Sequence, residues 1–278
     1  MTIFCIFTLS KLDSMQYIDK GQCLFCLKKQ PEVSFSEKPH TMPRSLGSDS
    51  IGFDVCDDCN HYFGQPDKLS VPQLCIEVCV KEVFGMIKHL LNTSRNEEYG
   101  KNNRMRSIFF EYRHSESKIK IKSSFQYNHK FLHAFTNQFK RGLYEMFLQE
   151  YHKVSKNGLN TKFNEIREYA RFNQGNVPVY YMQNNGVFLL EDDISNPRFN
   201  FSESQFQTID NYGFYTLMLW GQIFFLEVTP RARLCRNVYL RNEASKLIGT
   251  GFVFKGLIEL QRITDIDFTL RSLLGKKL

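Results

Sequence analysis

Two Cys-x-x-Cys pairs, Cys23-Leu24-Phe25-Cys26 and Cys56-Asp57-Asp58-Cys59, are the residues in this chain best placed to do chemistry. Each knuckle offers two sulfurs on one tight turn, and two knuckles complete the tetrahedral thiolate set of a structural zinc ion. Four protein ligands leave that ion no open position, so it folds its segment and does not itself catalyse. Binding of this kind supplies on the order of 10 kcal/mol in small zinc modules. The segment between the knuckles is longer than a simple zinc ribbon needs, and it carries His40; Asn60 and His61 directly follow the last cysteine. A zinc staple holding a histidine beside an asparagine points to a site for cutting nucleic acid.

The elements that must position these residues can be read from the pattern around them. The fold class expected is α+β, with a small zinc-stapled module followed by a larger mixed α+β domain. Residues 1–20 read as an N-terminal extension or an edge strand, 21–70 as the zinc module, and 71–278 as the α+β domain. Within the last, Ser70-Val71-Pro72-Gln73 carries helix-start signals for a helix over about 71–91. The polar stretch 92–103 reads as a linker, and 106–112 and 117–125 as strands. Phe131, Phe135, Phe139, Leu143, Phe147 and Tyr151 recur at helical spacing and predict a helix over about 128–152. Thr161 is expected to cap a short helix ending near Phe172, and after residue 177 the texture is mainly that of strands.

Size and charge bound the function. With 278 residues, 26 Phe and 13 Tyr, the chain can bury a sizeable core, and its net charge of +7 permits an anionic partner. No run approaches the roughly 20 apolar residues of a membrane span. The apolar stretch over residues 2–9 lacks the basic flank and cleavage site of a signal peptide. Paired cysteines without a secretion signal favour metal over disulfides and a cytoplasmic location. Cys5, Cys75, Cys79 and Cys235 are expected to be buried apolar side chains.

The order of motifs resembles the zinc-bound form of the HNH endonuclease family: CxxC, then His40-Thr41-Met42-Pro43 with Leu46-Gly47, then CxxC with Asn60, Phe63-Gly64 and Asp67. The resemblance covers about residues 21–68 and leaves the rest of the chain untouched. It implies a β-hairpin followed by a helix, with a divalent metal between them. By the same resemblance His40 is the general base that deprotonates an attacking water, and Asn60 helps hold a catalytic Mg²⁺ or Mn²⁺. His61 is a candidate further ligand. These residue types suit those roles: imidazole titrates near neutral pH, and an amide oxygen suits a hard cation. The sequence departs from the family at Pro39, where many members carry an acidic metal ligand; Glu37, Asp49, Asp54, Asp67 or His61 could stand in.

The implied partner is DNA, with RNA an open alternative, in a microbial restriction or phage-defence setting where a partner protein is conceivable. The other reading is a non-catalytic nucleic-acid-binding or scaffold protein that retains the zinc. Residues 101–122 hold seven of the basic side chains against Glu111 and Glu116. Lys118, Lys120 and Lys122 alternate with Ile119 and Ile121, so on a strand they share one face about 6–7 Å apart. With Arg106 they are candidates for phosphate contact. An edge strand also uses lysines this way to prevent sheet-to-sheet pairing. Arg231, Arg233 and Arg236 form a second basic cluster.

Overall fold

A computed structural model describes residues 17–66, 74–184, 194, 196–246 and 254–270. The mixed α+β class is what the chain adopts, with seven α-helices and two antiparallel sheets among the described residues. The expected strand over residues 2–9, with Cys5, the Ser70 cap and Asp67 lie outside the described residues.

The spine is α4 (His129–Ser155), whose predicted apolar stripe, from Phe131 to Tyr151, is buried along its whole length. Asn128 starts it by accepting the Phe131 N–H, at 2.9 Å. Packed on α4 is α2 (Ile76–Arg95), and the two approach closely at Gly142, where an added Cβ would lie 2.3 Å from Val80 Cγ2. A side chain at 142 would therefore push the helices apart. On the other flank, a four-stranded antiparallel sheet runs in the order β4-β5-β3-β6. Its strands are β3 (Val179–Asn184), β4 (Phe214–Leu219), β5 (Gln222–Glu227) and β6 (Phe254–Glu259). Phe224 of β5 and Trp220 pack on Phe84 of α2, with ring centroids at 6.1 and 5.6 Å. The opposite face of the sheet, with Tyr180, Phe214 and Phe225, is covered by Tyr239 of α7 (Ala232–Ser245).

Several sequence expectations need correction. The first long helix begins at Ile76, with the Cys75 sulfur accepting the Val78 N–H, and extends to Arg95. The supposed linker is mostly helical: α2 ends inside it, and α3 (Glu97–Asn102) follows, capped by Asn96, whose side chain accepts from Glu98 and Tyr99. Asn and Asp read as turn residues in a sequence window, but the same side chains are strong N-caps. The cap near Thr161 is Asn160, ahead of a 3₁₀ turn and α5 (Asn164–Phe172). The strand-rich tail also holds two helices, α6 (Glu203–Tyr212) and α7. The strand pair is shorter than its pattern, β1 (Phe110–Arg113) with β2 (Lys118–Ile121).

One hydrophobic core runs from Cys23 in the N-terminal module to Leu270. Two buried arginines cross that seam. Arg167 donates to the carbonyls of Leu24 (2.6 Å) and Gly158 (2.9 Å), and Arg141 ties the Tyr62 hydroxyl to carbonyls at the end of α5. No described helix is long and apolar enough to cross a membrane.

Candidate functional site

The two knuckles come together as their spacing requires. Cys23, Cys26, Cys56 and Cys59 place their sulfurs within 4.8 Å of one another, three of the four residues buried. The first knuckle is a tight turn closed by Leu27 N–H to Cys23 O, at 3.0 Å, and the second opens helix α1 (Asp57–Gly64). Hydrogen bonds from Cys56 and Cys59 hold the Cys23 thiol far below its usual range, and the same bonds push Cys56 and Cys59 up. Ionising Cys23 thus disfavours ionising Cys56 and Cys59 beside it, a conflict that a divalent cation among the sulfurs would relieve. The cluster could hold a zinc ion. Positive charge balances it from outside: Arg171 Nε donates to the Cys59 sulfur at 3.3 Å while its guanidinium stacks 3.8 Å over the Tyr62 ring.

Between the knuckles the chain folds into a hairpin in which His40 pairs with Ile51. Thr41 N–H donates to Ser50 O (3.1 Å) and Gly52 N–H to Pro39 O (2.8 Å), and a short 3₁₀ turn, Arg44–Leu46, forms the tip. Helix α4 grips this hairpin. Glu150 accepts from the hydroxyls of Thr41 and Ser50, and Lys153 donates to Ser50 Oγ at 2.7 Å. Asp54, at the hairpin's end, is fully buried and accepts from His152 (3.0 Å) and from the backbone N–H groups of Asp19, Lys20 and Gly21. Burial alone would raise the Asp54 pKa, but these four hydrogen bonds hold it below the usual carboxylate range. With every lone pair engaged, Asp54 is a structural anchor.

The hairpin and α1 face a cleft of about 570 Å³, whose lining includes His40, Arg44, Asn60, His61, Lys81 and Glu145. The structure thus brings His40, Asn60 and His61 to one cavity. His40 is half-buried, and its Nδ1 is enclosed with no hydrogen-bond partner among the described residues. Burial, then the charges of Arg44 and Lys38, lower its pKa, with Asp49 opposing them. At neutral pH the ring is accordingly a neutral proton acceptor.

Of the five candidates to replace the missing carboxylate, Glu37 is the acid that reaches the helix. Its Oε2 accepts from Asn60 Nδ2 at 3.3 Å, and its Oε1 lies 2.8 Å from His61 Nε2. Asp57 at the start of α1 fixes the Glu37 backbone, accepting its N–H at 2.9 Å and the Ser36 hydroxyl at 2.6 Å. Pro39 itself is buried. Asp49 is exposed on the hairpin, and Asp54 is consumed as described. Asn60 spends an amide N–H on Glu37, which leaves its carbonyl oxygen for a cation. Carboxylate oxygen, amide oxygen and imidazole nitrogen together form a donor set suited to Mg²⁺ or Mn²⁺.

The predicted phosphate-contacting residues do not stay together. Arg106 is exposed and lines a second cleft, of about 380 Å³, beside α2. Lys118 and Lys120 lie on the β1–β2 hairpin, where Lys118 is 3.7 Å from Glu116 and Lys120 sits opposite Glu111. Lys122 donates its ammonium to Ser107 O at 2.6 Å. The second basic cluster is also engaged: Arg231 with Asn211 O, Arg233 with Glu165, and Arg236 with Glu227 at 2.6 Å. Sequence reading missed Lys38, Arg44, Lys81 and Glu145 as cleft residues. Only their position in the folded chain marks them, since each type is common on any helix or loop.

Comparison with family models, with curated proteins and with solved structures returns no match for this chain. The functional reading therefore rests on the site itself.

Proposed function

We propose that the chain is a metal-dependent HNH-type endonuclease that hydrolyses phosphodiester bonds, with DNA the expected substrate. The observation that carries this reading is the shared cleft: His40 on the hairpin and Asn60 and His61 on α1, with Glu37 joined to both helix residues. In this reading Glu37, Asn60 and His61 hold a Mg²⁺ or Mn²⁺ ion, which when bound neutralises charge developing on the leaving oxygen. His40, neutral at working pH, takes the proton of the attacking water. Arg44 and Lys38 lower its basicity and also present positive charge to the scissile phosphate. The four-cysteine cluster, holding zinc, keeps the hairpin and α1 in register and takes no part in the reaction.

The test is incubation of supercoiled plasmid with purified protein in Mg²⁺, Mn²⁺ or EDTA. Cleavage should need the divalent ion, and His40→Ala should slow it by about 10²- to 10⁴-fold, the usual contribution of a general base. Glu37→Gln should raise the Mn²⁺ concentration needed and weaken Mn²⁺ binding measured by calorimetry. Pro39 in place of an acid favours a second reading, a nucleic-acid-binding protein that keeps only the zinc. That reading takes over if the wild type leaves plasmid intact at millimolar Mn²⁺ while binding it.

A further inference from the structure

The two clefts adjoin. The one that holds His40 and the one beside α2 share Ser45 and Lys81 in their walls, so together they form one concave path from the hairpin to Arg104 and Arg106. Five cations line it: Lys38, Arg44, Lys81, Arg104 and Arg106. None of the five side chains has a hydrogen-bond or ion-pair partner among the described residues. The acids in the same walls offset them only in part. Glu82 is buried and spends its oxygens on Ser107 Oγ and on Ile108 N–H at 3.1 Å, and burial drives the Glu145 carboxyl toward its neutral form. Among the described residues, Glu77 is the one exposed carboxylate in these walls.

The Glu82 contacts have a positional consequence. They pin residues 107–108 to α2, and Lys122 holds Ser107 from the other side. The exposed Arg104 and Arg106 are therefore carried on a segment anchored on its C-terminal side, at residues 107–108. Some cations elsewhere are paired: Arg113 lies 3.2 Å from Glu116, Lys162 2.8 Å from Asp210, and Arg236 2.6 Å from Glu227. What distinguishes the cleft is that five cations without a described partner share one concavity. Five cations around one concavity with no ion-pair partner among the described residues repel one another, and low-dielectric walls focus their field on a polyanion. Arginine forks match phosphate oxygens in pairs.

We propose that this path is the track for a phosphodiester backbone, gripped by Lys81, Arg104 and Arg106 as it leaves the His40 cleft, and that the β2 lysines lie off it. The proposal rests on the nuclease reading only for where the track begins.

The experiment uses the full chain carrying His40→Ala, so that substrate survives, and measures fluorescence anisotropy against salt for duplex DNA, single-stranded DNA and RNA of equal length. Lys81→Gln/Arg104→Gln/Arg106→Gln should weaken binding of the preferred polynucleotide at least tenfold near 0.1 M salt. It should also flatten the log-log salt slope by roughly 0.7 to 0.9 per lost contact. Arg113→Gln/Lys118→Gln/Lys120→Gln removes the same charge and should leave both nearly unchanged. If the first triple variant melts early, the exposed pair Arg104→Gln/Arg106→Gln carries the test. A first triple that binds like its parent, a control that loses as much, or a parent that binds none of the three polymers would overturn the track. Plasmid cleavage by the His40-containing protein separates the two ideas. Binding lost in the triple with no cleavage by wild type upholds the track and removes the nuclease. Undiminished cleavage by the triple upholds the nuclease and removes the track.

Discussion

The N-terminal module and the sheet-bearing body of this molecule share one hydrophobic core but differ in what is added to it. The module adds four clustered sulfurs, a buried carboxylate and borrowed arginines to buried apolar side chains such as Phe25, Phe35 and Phe63. The body relies on stacked aromatic contacts, such as Phe84 with Trp220 and Phe147 with Tyr215, at 5.6 and 5.1 Å. A segment with such point contacts can leave polar groups facing a cleft, as His40, Asn60 and His61 do. A segment held by area must cover its interior and pair its charges. Chemistry accordingly collects in the module, and α4 of the body supplies the rigid floor.

The sharpest way to break this contrast is to remove the metal. Cys56→Ser should abolish stoichiometric zinc, a loss on the order of 10 kcal/mol of binding energy. Hydrogen exchange should then show residues 17–66 unprotected while β3 to β6 keep their protection. Equal loss throughout would mean that the shared core makes one cooperative unit. No zinc in freshly purified wild type would remove the staple altogether.

The converse change is Phe224→Ala, which empties a site packed on Phe84, Phe139 and Tyr181. A cavity of that kind costs about 3 to 5 kcal/mol. Thermal unfolding should shift down sharply, with zinc content of the folded fraction unchanged.

Arg171 tests the seam between the regions. Arg171→Gln removes the donor to Cys59 and the cation over Tyr62, and zinc affinity should fall about 10- to 100-fold in competition with a chelator. An unchanged affinity would leave Arg171 a stacking residue only.

The smallest expected effect concerns Glu145 on the cleft wall. Burial first, then the charge of Glu77, raise its pKa well above the carboxylate range, against the pull of the Gln149 hydrogen bond. Because the folded state holds this proton more tightly than the unfolded chain, its stabilising contribution is complete at acid pH and is lost as pH rises through the folded value. Glu145→Gln removes that loss. The variant should be more stable than the parent at neutral pH and show a flatter stability profile above the ordinary carboxylate range in urea titrations. Stability that still falls with pH in the variant would place the effect elsewhere.

How much of this was legible beforehand varies from one element to the next. Helix α4 was readable because its six aromatic and aliphatic positions repeat with the helical period and have no competing signal. Helix α3 was not, since six residues with no apolar stripe, capped by Asn96, look like any linker until the chain packs around them. Trp220 is a similar case. It adopts a left-handed φ of 47° beside Gly221 (φ 72°) in the two-residue β4–β5 turn, a conformation that no propensity assigns to tryptophan. Burial against Phe84 compensates for the strain.

By itself the sequence determined the four-cysteine cluster that could hold a zinc ion, because short-range spacing limits which sulfurs can share one ion. The order hairpin-then-helix, and the choice of His40, Asn60 and His61, came from the resemblance of the motifs. Three things were decided only by tertiary structure. One is that Glu37, three residues before His40, reaches the helix in place of Pro39. Another is that Asp54 is an anchor for His152, 98 residues away. The last is which lysines and arginines remain unpaired. Each depends on distances between groups far apart in the chain, and a charge in a sequence does not reveal whether folding will bring it a partner.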